Sequence, residues 1–290
     1  MTALATCRDT VFAGLPACEL ALPQGDRLVV ALHGAHVLSW QTGGHERLYL
    51  SPASVMDGQG AIRGGVPVCF PQFNQRGPMA DRLPKHGFAR NVAWQADAPV
   101  LSAQAASLTL RLTDSTQTRQ WWPQAFEAQL QIDLMPGDLR LSLRVHNTDT
   151  QPLAFSGALH TYFAVADVTQ ATLLGLGGLA EWDSLTNTHA LAPDTLRFAA
   201  EFDRVYAADA HTPRQPMTLN QSLRISQSPC WANTVVWNPA QDLCKHLADM
   251  PDDGWRQMLC VEAAQVYDPI TLPVGGRWEG WQRLQVFADA

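Results

Sequence analysis

Two runs of strict alternation, residues 128–134 and 139–145, constrain this chain more than any other feature. In the first, Leu130, Ile132 and Leu134 share one face, and Gln129, Gln131 and Asp133 the other. In the second, Leu139, Leu141, Leu143 and Val145 alternate with Arg140, Ser142 and Arg144. A period of two belongs to a strand with one buried face. Met135-Pro136-Gly137-Asp138 between them reads as a hairpin loop. The pattern recurs at Leu108, Leu110 and Leu112, at Leu223 with Ile225, and at Leu284 with Val286. Residues 28–32 and 234–237 read as shorter, more continuous strands. Helical spacing is scarce. The best candidate is residues 239–248, where Leu243 and Leu247 lie four apart and Pro251-Asp252-Asp253-Gly254 ends the pattern. Strands at short intervals, separated by Gly and Pro, predict an all-β antiparallel sandwich or barrel. No linker composition interrupts the chain, so residues 1–290 are expected to form one domain. No repeat suggests a propeller or solenoid.

The charge balance narrows the partners. The formal net charge is -7 and charged residues make up only 16% of the chain. That argues against nucleic acid and against an anionic membrane surface. A phosphate ligand would need a local basic cluster. The six cysteines show no C-x-x-C pair and no zinc-site spacing, so they are expected to be buried free thiols in a reducing cytosol. Residues 1–16 carry Arg8 and Asp9 and no apolar core, unlike a signal peptide. No apolar run approaches the roughly 18 residues of a membrane span. The expected location is therefore cytoplasmic.

One stretch fits neither a helix nor a solvated loop. Arg63-Gly64-Gly65-Val66-Pro67-Val68-Cys69-Phe70-Pro71-Gln72-Phe73 leads on to Lys85-His86-Gly87-Phe88-Ala89-Arg90. Gly and Pro exclude a helix, while Val66, Val68, Phe70 and Phe73 are too apolar for water. Cations beside buried aromatics on irregular backbone predict an anion-accepting pocket. Arg63 and Arg90 could form a guanidinium fork for phosphate, or could be structural salt bridges. His86 could donate to a ligand hydroxyl, or satisfy a neighbouring loop.

Nucleotide-loop, G-x-S-x-G and H-E-x-x-H motifs are absent. What remains are isolated polar residues in apolar segments. His160 lies among Phe155, Leu159, Tyr162 and Phe163, where an imidazole can act as acid or base or rest as a satisfied core histidine. Glu262 lies in Met258-Leu259-Cys260-Val261-Glu262-Ala263-Ala264, an expensive place for a carboxylate without a partner or a task. Its other reading is a strand residue pointing outward. Asp203 is the weaker acidic candidate, since a loop Asp often caps a turn.

The Arg63–Phe73 and Lys85–Arg90 motifs, with Ala158-Leu159-His160-Thr161-Tyr162-Phe163, Asp203-Arg204-Val205-Tyr206, Val236-Trp237-Asn238-Pro239 and Cys260-Val261-Glu262, closely resemble the D-hexose-6-phosphate mutarotases. These glucose-6-phosphate 1-epimerases belong to the galactose-mutarotase-like superfamily, and the resemblance covers residues 15–288. It implies a large antiparallel β-sandwich with a sugar cleft. It implies His160 as general acid and Glu262 as general base, and Arg63, Lys85, His86, Arg90 and Asp203 as substrate-binding positions. Members of that family often carry Gln where Lys85 stands. The implied reaction interconverts the α and β anomers of a hexose 6-phosphate, needs no metal or organic cofactor, and is expected of a monomer. It would call for ionised Glu262 and protonated His160 across the sugar. Two other readings share the scaffold: an aldose 1-epimerase for unphosphorylated sugars, and a non-catalytic carbohydrate or sugar-phosphate binder.

Overall fold

The computed structural model describes residues 3–76, 80–209 and 214–287. Its strands form three antiparallel sheets of five, ten and eight strands. The five-stranded sheet is a meander of Thr6–Phe12, Leu15–Ala21, Arg27–Ala31, His36–Thr42 and His45–Glu46. The ten-stranded sheet is built around Ala106–Thr113, Phe126–Met135, Asp138–Asn147 and Arg277–Val286 as successive neighbours. In the eight-stranded sheet, Met258–Leu272 lies between Asn233–Asn238 and Leu153–Leu159.

The alternating runs form the expected hairpin. Phe126–Met135 pairs with Asp138–Asn147 from Met135↔Asp138 to Phe126↔Asn147. Pro136 and Gly137 make the two-residue turn, with Gly137 at φ +67. Along Phe126–Met135 every second residue is fully covered. Ser142 departs from the expected outward face: it is buried, opposite Trp281 on the neighbouring strand. The helical candidate is shorter than expected. Only Ala240–Cys244 is α-helical, with Pro239 as its N-cap. A short helix at Thr116–Trp121, closed by a Ser115–Thr118 capping box, was not expected from periodicity.

The two larger sheets pack through aromatic contacts. Phe155 of the eight-stranded sheet meets Trp278 of the ten-stranded sheet edge-on at 5.4 Å between ring centroids. Phe70 adds contacts to Phe126 and Phe155 at 5.3 and 5.4 Å. This places the front of the Gly- and Pro-rich stretch inside the sandwich core.

Met258–Leu272 explains why its own sequence does not alternate. Residues 258–266 are all buried, so both faces of the strand are covered. Val261 and Ala263 join the large core, while Ala264 and Val266 join a second cluster with Phe73, Trp182, Val205 and Val235. Glu262 lies on that second face.

The Gly- and Pro-rich stretch is pinned by backbone bonds. His160 N–H donates to the Pro67 carbonyl at 3.0 Å, and Tyr162 N–H to the Gly65 carbonyl at 2.9 Å. Gly87, at φ +72, lies so close to Phe70 that a Cβ would collide with the Phe70 carbonyl. Gly137 has similar φ, yet a Cβ there would meet nothing nearer than the Val286 carbonyl oxygen at 3.9 Å. Gly137→Ala should therefore cost roughly 1–2 kcal/mol for the left-handed backbone alone. Gly87→Ala should cost clearly more. Urea unfolding of both variants checks this, and equal losses would remove the close approach as a constraint.

Candidate active site

Segments far apart in the sequence converge on a cleft of about 250 Å³. Glu262 enters it from Met258–Leu272. His160 enters from the break between Leu153–Leu159 and Tyr162–Ala164. Nε2 of His160 lies 3.4 Å from Oε1 of Glu262. The residues are 8% and 1% exposed, so neither carries an ordinary solvation shell. The His160 ring stacks on Tyr162 at 4.9 Å and meets the edge of Trp237 at 6.3 Å, which fixes its plane. Glu262 therefore does not point outward, and His160 is not spent on a backbone carbonyl.

Burial decides the charge state of this pair. It pushes His160 well below the usual imidazole value, and the positive charges of Arg90 and Arg63 push the same way. It pushes Glu262 well above the usual carboxylate range, with Asp203 adding repulsion. Desolvation disfavours the charged form of each group, which acts against the expected pair of imidazolium and carboxylate. The two groups stand side by side in contact.

His86 has a defined tautomer. Asn74 N–H donates to its Nδ1 at 3.1 Å, so Nδ1 must be an acceptor and the ring proton sits on Nε2. The ring is 5.4 Å from that of His160 and lines the cleft. It offers a neutral donor, and burial together with neighbouring His160 lowers its basicity well below the ordinary value. Its backbone sits at φ +67, directly before Gly87, and His86 N–H donates to the Asn74 carbonyl at 2.8 Å.

The arginine fork is not formed. Arg63 lines the cleft, but its guanidinium is paired with Asp249 at 3.0 Å and donates to the Tyr162 hydroxyl at 3.2 Å. Arg90 is not among the cleft-lining residues. It donates from Nη2 to the Lys85 carbonyl at 2.8 Å, and so braces the backbone that carries Lys85. Lys85 lines the cleft and, among the described residues, has no ion-pair partner. Asp203 lines the cleft too, and burial raises its carboxyl pKa. Arg76, missed in the sequence, stands over the Trp182 ring at 4.3 Å on the cleft wall. A larger groove of about 450 Å³ on the outer face of the ten-stranded sheet has no such chemistry, because its Arg144 and Glu279 are already paired at 3.0 Å.

The sequence profile of the aldose 1-epimerase family matches residues 17–285. This chain belongs to that family. A protein of Cenchrus ciliaris, provisionally named glucose-6-phosphate 1-epimerase, is 35% identical over 265 residues, covering 87% of this chain and 78% of that protein. An Escherichia coli protein with the same provisional name is 36% identical over 244 residues, covering 81% and 78%. The crystal structure of YeaD from Salmonella typhimurium, provisionally described as a mutarotase, superposes with a TM-score of 0.87 at 28% identity, covering 99% of this chain and 94% of that one.

In this family member the cysteines are free thiols as expected, but not all are buried: Cys230 is exposed and Cys7 partly so. No helix among the described residues is long and apolar enough to cross a membrane.

His36 supports the site from beneath. It is fully buried, and its Nε2 lies 2.7 Å from the Gly64 carbonyl oxygen, to which it donates. Burial pushes its pKa down from 6.5 to about 4, against the opposing hydrogen bond to Gly64. A folded-state value below the unfolded one means the neutral ring contributes stability above about pH 6.5, and that stability is lost as pH falls towards 4. The loss attributable to His36 should approach about 3 kcal/mol at the acid end. Denaturant unfolding at pH 7 and at pH 4.5 should show a smaller acid penalty for His36→Gln than for the wild type. Parallel pH dependences would contradict the assignment.

Proposed function

We propose that this chain is a hexose-6-phosphate mutarotase. It interconverts the α and β anomers of glucose 6-phosphate or a related aldohexose 6-phosphate. The observation that carries this reading is the buried His160–Glu262 contact of 3.4 Å in a cleft whose walls hold Arg63, Arg76 and Lys85. The names of the Cenchrus ciliaris and Escherichia coli relatives support the phosphorylated substrate.

The reaction moves two protons about one carbon. One leaves the anomeric hydroxyl and one reaches the ring oxygen as the bond from C1 to that oxygen breaks. Both oxygens are bonded to C1, so they lie close together. An acid and a base in mutual contact suit them better than groups on opposite faces. The neutral pair already has the right proton count: moving the carboxyl proton of Glu262 to His160 yields carboxylate and imidazolium. Glu262 then takes the hydroxyl proton and His160 protonates the ring oxygen. The open aldehyde turns about C1–C2, and reclosure reverses both transfers. His86, donating from Nε2, and Asp203, accepting, would hold sugar hydroxyls. Lys85 and Arg76, without carboxylate partners among the described residues, are the free cations for the phosphate.

Positioned proton transfer contributes roughly 10²–10⁴-fold to such a step. His160→Ala and Glu262→Gln should each lower kcat by about that factor while the variants stay folded. NMR exchange between the anomers of glucose 6-phosphate measures this, and a folded variant with wild-type exchange would remove its residue from the chemistry. Lys85→Ala should raise KM for glucose 6-phosphate and leave the kinetics with glucose nearly unchanged. Equal effects on the two sugars would favour an aldose 1-epimerase for free sugars.

A further inference from the structure

Cys260 has no part in the proton transfers, yet it stands beside the groups that do. It precedes Glu262 by two residues on Met258–Leu272, so both side chains leave the strand on the same face. One ligand atom from each of His160, Cys260 and Glu262 lies within 4.8 Å of the other two, and all three residues are buried. We propose that these three side chains form a reversible, inhibitory Zn²⁺ site.

The geometry is near that of a metal centre. Zinc bonds of about 2.0–2.1 Å to nitrogen and oxygen, at tetrahedral angles, put neighbouring ligand atoms roughly 3.3 Å apart. The His160–Glu262 separation is 3.4 Å before any adjustment. The two edges to Cys260 are no longer than 4.8 Å and would close to roughly 3.6 Å with a Zn–S bond of about 2.3 Å. Oε2 of Glu262 and Nδ1 of His160 are buried without a hydrogen-bond partner among the described residues. Oε2 belongs to the carboxylate that faces this cluster, and a buried polar atom left without a partner is costly.

The ligand set selects the ion. One thiolate, one imidazole and one carboxylate suit Zn²⁺, whereas Mg²⁺ and Ca²⁺ prefer oxygen alone. Charge balances too. Thiolate and carboxylate together carry two negative charges, Zn²⁺ carries two positive ones, and imidazole is neutral, so the filled site has no net charge to bury. Binding releases the thiol proton, and any proton on Glu262, to solvent. Asp203 adds a carboxylate to the cleft and Asp249 pairs with Arg63 at 3.0 Å, which offsets part of the positive field of Arg63, Arg90 and Lys85. Three protein ligands leave a fourth position for water on the cleft side. The bound ion would occupy the lone pairs that move protons, and so exclude the sugar. That inhibitory half rests on the mutarotase reading; the binding half does not.

The test uses the full chain without sugar. Titration with Co²⁺ should give one ion per chain and a near-ultraviolet thiolate-to-cobalt charge-transfer band, which Zn²⁺ then displaces. Cys260→Ala should lose the band and weaken Zn²⁺ binding by more than about 10-fold, the loss typical of disturbing even an outer-shell partner. Its anomer exchange in metal-free buffer should stay near the wild-type rate. Cys260→Ser gives a second variant of nearly unchanged volume should the alanine form fail to fold. Cys230→Ala, which alters the exposed thiol, should bind as the wild type does. A band that survives in Cys260→Ala and Cys260→Ser, or absence of binding at millimolar Zn²⁺, overturns the site. With glucose 6-phosphate present, Zn²⁺ should suppress exchange and a chelator should restore it. Binding as described with full exchange retained overturns the inhibitory role alone. Binding as described with no exchange under any condition leaves the metal site standing and sinks the mutarotase reading.

Discussion

A carboxyl group on a strand covered on both faces is the constraint around which the cleft is arranged. Glu262 is 1% exposed and sits among Cys260, Val261, Ala263 and Ala264, all fully buried. An ionised carboxylate there would be severely destabilised without a partner. His160, in contact at 3.4 Å, supplies one, and the two can hold a single proton between them. Burial favours the uncharged form of each. The rest of the site follows from keeping this pair in place. Tyr162 and Trp237 hold the imidazole plane, while backbone bonds to Gly65 and Pro67 hold the segment that carries it.

The Gly- and Pro-rich stretch serves two structural ends. Its front half threads into the sandwich core, where Phe70 touches Phe88, Trp122, Phe126 and Phe155. Its rear half crosses back over Phe70 at a point only glycine can occupy, Gly87. The preceding residue, His86, is thereby held with its Nε2–H toward the cleft. Arg90 contributes by fixing the Lys85 carbonyl.

What the sequence made legible, and what it hid, separate along physical lines. Period two is local, and it located the strands at Phe126–Met135 and Asp138–Asn147 to within two residues of their observed ends. Glu262 and His160 stood out because polar groups in apolar runs are costly wherever they occur. The Arg63–Asp249 pair joins residues 186 apart, and nothing local marks it. Arg76 over Trp182 depends on how the sheet is assembled. The burial of Ser142 depends on the neighbouring strand that bears Trp281. The helix at residues 239–248 was overestimated because Leu243 and Leu247 both line the cleft wall, one from the last turn of the helix and one from beyond it, so their spacing reports a shared surface more than a continuous helix.

The cations around the cleft act on the His160–Glu262 pair. Arg90, Arg63 and Lys85 all lower the basicity of His160, on top of the larger effect of burial. In the proposed complex a phosphate dianion docked among the cleft cations opposes that field. It shifts His160 towards the imidazolium, and it raises the cost of the carboxylate at Glu262, where Lys85 and Arg90 act in the opposite direction. Both shifts favour the protonated form of the group they act on, so for a proton passing from Glu262 to His160 they oppose each other, and the group nearer the phosphate decides the sign. A sugar without phosphate would meet the same residues with the imidazole still held neutral.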